Sequence, residues 1–221
     1  MPRRRRPIRK LLSLLFSLLL IASGFAAGQA SAQHLPTTYQ VGPNLYQTGI
    51  PSGEFEYFAA ADVGGRQRQA NWCWAAAIQM VLNYHGLYVT QEQVVLHIFG
   101  SLADRPAASP EILRALSGWA PDTRGRFSSI HATPVVNHTA EIVQDLSLRW
   151  PLIVGLHQEP IGHAYVLTAV TYSVDPTTLW PIIHSVVLRD PWPYASSRVQ
   201  LSWTEFSSRL IFVARVHVSR H

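Results

Sequence analysis

Gln67-Arg68-Gln69-Ala70-Asn71-Trp72-Cys73-Trp74-Ala75-Ala76-Ala77 contains the only cysteine of the 221-residue chain. Just beyond it, Trp74, Ala77, Ile78 and Val81 fall at i, i+3, i+4 and i+7, and Gly86 supplies a C-terminal stop. That spacing predicts a helix over residues 73–84 with one apolar stripe. The thiol then stands at a helix N-terminus, where backbone N–H groups and the macrodipole favour the thiolate. Four uses compete for it: nucleophile of a peptidase, nucleophile of another acyl-transfer enzyme, redox or metal group, or inert core residue. One cysteine closes no intramolecular disulfide and builds no CxxC site, which weakens the third.

A cysteine nucleophile needs a histidine from another element and a polar group to orient it. Of ten histidines, His163 is best placed. It stands in Gly162-His163-Ala164-Tyr165-Val166-Leu167, where Gly162 permits close backbone approach and the histidine opens an apolar strand. His157 is the nearest competitor. His131 and His138 fall in an expected loop, His184 inside a strand, and His34, His217 and His221 near the chain ends. The orienting group is expected from the strand after the histidine strand, and Leu188-Arg189-Asp190-Pro191-Trp192-Pro193 offers Asp190 at a strand end, with an indole at Trp192 to cover an Asp/His hydrogen bond. Oxyanion donors are the Cys73 N–H and a side-chain amide upstream, for which Gln67 and Gln69 both qualify.

Outward from these residues, capping signals at Thr90, Ser109-Pro110-Glu111 and Thr139 predict helices over 90–98, 109–118 and 139–150, with a surface loop at 119–138. After Trp150-Pro151 the period becomes extended. Strands are expected over 152–156, 163–172, 182–189 and 210–218, with a strand and one helical turn over 199–206. Turn residues between them suit antiparallel connections. Helices first and strands second describe an α+β fold, a helical lobe (65–150) and an antiparallel β lobe (151–221) with the site in the cleft between them.

Residues 33–64 read as an extended arm with short strands at 39–41 and 44–46. Residues 1–32 read as a signal peptide: a cationic stretch from Arg3 to Lys10, an apolar run and Ala30-Ser31-Ala32 as a cleavage site. An uncleaved anchor is the alternative. Cleavage leaves twelve arginines, scattered along the chain, against thirteen acidic residues. The basic balance of the whole chain is therefore no argument for nucleic acid. The expectation is a secreted or periplasmic monomer without stable membrane association.

Gln67, five residues, then Cys73-Trp74-Ala75-Ala76, followed in order by Gly162-His163-Ala164 and Asp190-Pro191-Trp192, resembles the papain-like cysteine peptidases. The run from Asn71 to Ala76 is most similar to the compact bacterial group that includes the AvrRpt2-type secreted effectors. The resemblance implies a papain-like fold, a protein or peptide substrate and no cofactor or metal. By it Cys73 is the nucleophile, His163 the general base and acid, Asp190 the orienter and Gln67 the oxyanion amide, while Trp72, Trp74, Gly162 and Trp192 are candidates for contact with substrate. Ala70 stands where plant and lysosomal members carry a disulfide cysteine, and the third residue is Asp rather than Asn. The long interval between His163 and Asp190 makes Asp175 the fallback. Two other functions share these residues: a transglutaminase or deamidase, and a catalytically silent binding module.

Overall fold

The computed structural model describes residues 37–118, 125, 128–135, 139–158 and 161–219. The signal peptide expected over residues 1–32, the histidines His34, His138 and His221, and much of the loop expected at 119–138 lie outside these residues.

Among the described residues the sheet has eight strands, each antiparallel to its neighbours. Its hub is β5 (His163–Val174), buried over most of its first half and built from the β-branched and aromatic run expected there. In chain order the others are β1 (Thr38–Gly42), β2 (Leu45–Gly49), β3 (Ser129–Pro134), β4 (Leu152–Leu156), β6 (Pro181–Arg189), β7 (Arg198–Ser202) and β8 (Leu210–Ser219). One edge of β5 pairs with β4 through its first half and with β2 through its second, and the other edge takes β6 and then β7. Beyond β4 lie β8 and β3.

Alternation along the strands sends side chains to two cores. On one face Ile153, Ala164 and Val166 meet α1 (Ser52–Ala59), α2 (Cys73–Tyr84), α3 (Gln91–Phe99) and α4 (Ser109–Ala115). On the other, Leu152, Val154, Leu156 and Leu167 meet α5 (Thr139–Ser147) and α6 (Trp203–Arg209). The fold is thus α+β with an antiparallel sheet, as expected. The sheet also takes strands from ahead of residue 151, namely β1, β2 and β3.

Three local expectations change. Helix α2 was expected to bury one stripe, yet every residue from Cys73 to Asn83 is buried, because helices pack on one side of it and the sheet on the other. Two of its polar side chains bond to nearby backbone: Asn83 Oδ1 accepts the Val89 N–H at 3.1 Å, and Gln79 Nε2 donates to the Val63 carbonyl at 2.7 Å. The expected arm carries helix α1, whose Phe55 and Ala59, four apart, are buried against α2. Pro51 and Gly53 around its start hide that period. The loop expected at 119–138 holds β3, which pairs residue by residue with β8 while burying only Ile130, so its extended state comes from the partner strand. Helix α3 starts as its sequence indicates, with a reciprocal capping box between Thr90 and Gln93.

Candidate active site

The segment ahead of Cys73 is held by two buried glutamines that the motif does not contain. Gln79 Nε2 donates to the Val63 carbonyl at 2.7 Å, and Gln91 Nε2 donates to those of Gly64 and Arg66 at 2.7 and 2.8 Å. The Arg68 N–H returns a bond to Gln91 Oε1 at 3.0 Å. Gly64 has φ +83°, and a Cβ there would lie 2.2 Å from Gln79 Nε2, so both conformation and space require glycine. With this segment fixed, the chain enters α2 at Cys73. Trp72 is the N-cap and makes no side-chain capping bond, so this N-terminus has no side-chain acceptor from its cap.

His163 and Asp190 meet here from two neighbouring strands. His163 opens β5, Asp190 follows the last residue of β6, and His163 Nε2 lies 2.8 Å from Asp190 Oδ1. Nε2 being engaged, Nδ1 is the ring nitrogen left for the thiol, and Cys73 and His163 line the same two cavities. Burial pulls the His163 pKa down, but hydrogen bonds to Asp190 and Cys73, with the charges of both, outweigh it and push it up to about 9. The imidazolium is therefore the favoured form at neutral pH. Asp175 is not at this place: it is half-buried in the turn between β5 and β6, where Oδ1 accepts the N–H groups of Thr177 and Thr178 at 2.8 Å each. His157 is exposed, and among the described residues its hydrogen bonds are those of its backbone with Arg209.

Two cavities include the thiol in their walls. One, about 300 Å³, is mainly apolar, with Trp74, Ile112, Ile161 and Phe212 in its walls. The other, about 370 Å³, is walled by Asn71, Gln158, Asp190 and Trp192. Both include Cys73, Pro106, Ile161, Gly162 and His163, so the two cavities adjoin at the thiol.

The tryptophans divide in role. Trp72 lines neither cavity; its indole is buried and donates to the Ala103 carbonyl at 2.9 Å. Trp74 donates to the Arg105 carbonyl at 3.2 Å, and Asn71 N–H to Asp104 Oδ1 at 2.8 Å. Together they strap residues 103–105 beside α2 and so place Pro106 in the cleft wall. Trp72 thus anchors residues 103–105 and, unlike Trp74, is in the wall of neither cavity. Trp192 and Gly162 do face the cleft. The aromatic ring packed on the imidazole, however, is Tyr165, edge-on with centroids 4.6 Å apart, whereas Trp192 packs against Tyr194. Trp192 supports Asp190 through its backbone, donating N–H to Oδ1 at 2.8 Å.

Gln67 is buried, and its Nε2 lies 2.9 Å from each of the Gln69 and Ala70 carbonyls. The amide expected at the oxyanion thus points into its own loop and lines neither cavity, while Oε1 is buried without a partner among the described residues. Gln69 is exposed and likewise lines neither cavity. Sequence reading missed Arg66, whose guanidinium donates to the carbonyls of Asp190, Trp192 and Ala195 at 2.8, 3.0 and 2.9 Å. Because all three acceptors are main-chain oxygens, no side-chain pattern in the sequence announces them. Among the described residues no group of three His, Cys, Asp or Glu is placed to hold a metal ion.

Residues 58–210 match the family described as papain-like cysteine protease AvrRpt2, a span that includes Gln67, Cys73, His163 and Asp190. Among solved structures, the peptidase domain of Streptococcus ComA, a bifunctional ABC transporter involved in a quorum-sensing pathway, is 15% identical with a TM-score of 0.49, over 71% of this chain and 96% of its own. A double glycine motif protease from an AMS/PCAT transporter, in complex with the leader peptide, is 18% identical with a TM-score of 0.41, over 71% and 89%. The peptidase domain of Streptococcus mutans ComA is 15% identical with a TM-score of 0.39, over 70% and 97%. No curated protein matches the chain. The family match spans well over half of the sequence, and the chain belongs to the AvrRpt2 family of papain-like cysteine proteases: it is a cysteine peptidase whose substrate is a protein or peptide.

Proposed function

We propose that the protein is a secreted cysteine endopeptidase that works through Cys73, His163 and Asp190. The thiolate of Cys73, paired with the His163 imidazolium, attacks a peptide carbonyl. The C–N bond breaks as His163 gives its proton to the leaving amine, and the acyl group stays on sulfur as a thioester. Water, deprotonated by His163, then attacks the thioester and releases the acid and the thiolate. Asp190 orients the imidazole and stabilises its charged form.

The two cavities that adjoin at the thiol support endo- rather than exopeptidase action, since they offer room for substrate residues beyond the one that is attacked. The oxyanion donors are the Cys73 N–H at the start of α2 and the Gln67 amide, which turns from the Gln69 and Ala70 carbonyls when substrate fills the cleft. Catalytic hydrogen bonds are often formed only in the substrate complex, which supports this reading of a buried amide six residues before the thiol. The cationic and apolar segments and the Ala30-Ser31-Ala32 site support export of the chain before it acts, as a monomer free of the membrane.

The observation that carries the catalytic reading is the 2.8 Å contact between His163 and Asp190 beside a thiol at a helix N-terminus. An unbiased peptide-library profile of wild type against Cys73→Ala tests it. Internal cleavage by wild type alone is the expected result. Identical profiles, or amine incorporation into glutamine donors without cleavage, would replace it with the silent or the transglutaminase reading.

A further inference from the structure

Asp190 leaves β6 directly after Arg189, and Arg189 is an unusual neighbour: a guanidinium that is 0% exposed. Its Nη1 is paired with the Glu56 carboxylate, and its Nη2 donates to the Ser52 carbonyl at 2.7 Å. Its Nε is buried without a partner among the described residues. Burial opposes the charged form of this side chain, and Glu56 is what offsets it. Glu56 has a second contact in the same place. Ser197 Oγ donates to its carboxylate, at 2.6 and 2.8 Å from the two oxygens. Ser197 in turn accepts the Asp190 N–H through its carbonyl at 2.7 Å.

One carboxylate on α1 therefore joins Arg189, the residue before the 190–197 loop, to Ser197, the last residue of that loop, whose first residue is Asp190. Glu56 and Ser52 lie ahead of residues 58–210, so the family match does not include them. Neither lines the cleft.

We propose that Glu56 is a positioning residue for the His163–Asp190 pair: by pinning Arg189 and Ser197 it closes the neck of the 190–197 loop and aims Asp190 Oδ1 at His163. Helix α1, within the segment that reads as an arm, is on this account part of the machinery and not a detachable leader. The proposal rests on the catalytic reading above. A merely structural Glu56 would affect stability alone; a positioning Glu56 also affects the ionisation of His163.

The test is the pH dependence of Cys73 alkylation by iodoacetamide, in full-length wild type, Glu56→Gln and Asp190→Asn, each below its melting transition. Wild type should show an alkaline step where His163 loses its proton. In Asp190→Asn the step moves down, and in Glu56→Gln it moves the same way by about one pH unit, with peptide cleavage losing kcat rather than gaining KM. Ser197→Ala keeps the ion pair and should move the step by a smaller amount in the same direction. It decides the matter if Glu56→Gln does not fold: a step left in place would overturn the proposal. Coincident wild-type and Asp190→Asn profiles would defeat the triad reading, and the proposal with it. A step moved by Asp190→Asn but not by Glu56→Gln, whatever its melting temperature, defeats only the role of Glu56.

Discussion

Asp190 Oδ1 accepts the backbone N–H of Trp192 at 2.8 Å, and the same oxygen lies 2.8 Å from His163 Nε2. The carboxylate is thus held by its own loop before it meets the imidazole. Its direction does not depend on side-chain freedom, and that direction is what a triad needs from its third member. Asp190→Asn preserves shape but can leave an amide N–H facing the ring nitrogen. We expect kcat/KM for peptide cleavage to fall by roughly 10²- to 10⁴-fold with KM little changed. Steady-state kinetics on a cleaved library peptide would check this.

The His163 pKa of about 9 lies above its ordinary 6.5, so folding binds a proton there more tightly than the unfolded chain does. The resulting stability is fully present below about pH 6.5 and is lost as pH rises through about 9. Its size is on the order of 3 kcal/mol at most. Urea unfolding of wild type and His163→Gln at pH 6 and pH 9.5 should show the wild-type advantage shrinking at the higher pH. An advantage that grows would contradict the sign.

Gln67→Ala distinguishes a loop support from an oxyanion donor. As a donor, it should lower kcat by on the order of 10²-fold with little effect on KM. As a support for the Gln69 and Ala70 carbonyls alone, it should lower the melting temperature while kcat in the folded fraction stays close to wild type. Active-site titration with an alkylating agent gives the folded, competent fraction needed for that comparison.

Gly155 shapes the apolar side of the cleft. A Cβ at this position would lie 2.3 Å from Cε1 of Phe212, so Gly155→Ala must push the ring aside. We expect about 1–3 kcal/mol of destabilisation and an altered side-chain preference at the subsite this cavity serves. Thermal melts and a repeat of the library profile measure the two effects. Phe212→Leu, which frees the space, should restore part of the stability in the double variant.

Much of the site is legible in the sequence because its chemistry requires particular residue types at element ends. A thiol before an apolar stripe, a histidine at the head of a β-branched run and an acid before proline each mark a boundary that local propensity sets. The residues that support them carry no such mark. Gln79, Gln91 and Arg66 act on main-chain carbonyls 16 to 129 positions away, and any sequence can supply a carbonyl.

The division runs the same way through the whole chain. Short-range signals determined the central helix, its N-terminal cysteine, the capping box at Thr90 and the four main strands, since these depend on period and caps within a few residues. Tertiary structure decided the rest. Pairing with β8 made residues 129–134 a strand, enclosure by helices and sheet buried α2 on every side, and the adjacency of β5 and β6 chose Asp190 over Asp175. It also turned the Gln67 amide toward its own loop and Trp72 into the core. Each of these depends on which hydrogen-bonding and apolar partners the folded chain brings within reach, and those partners lie too far along the sequence for local spacing to reveal them.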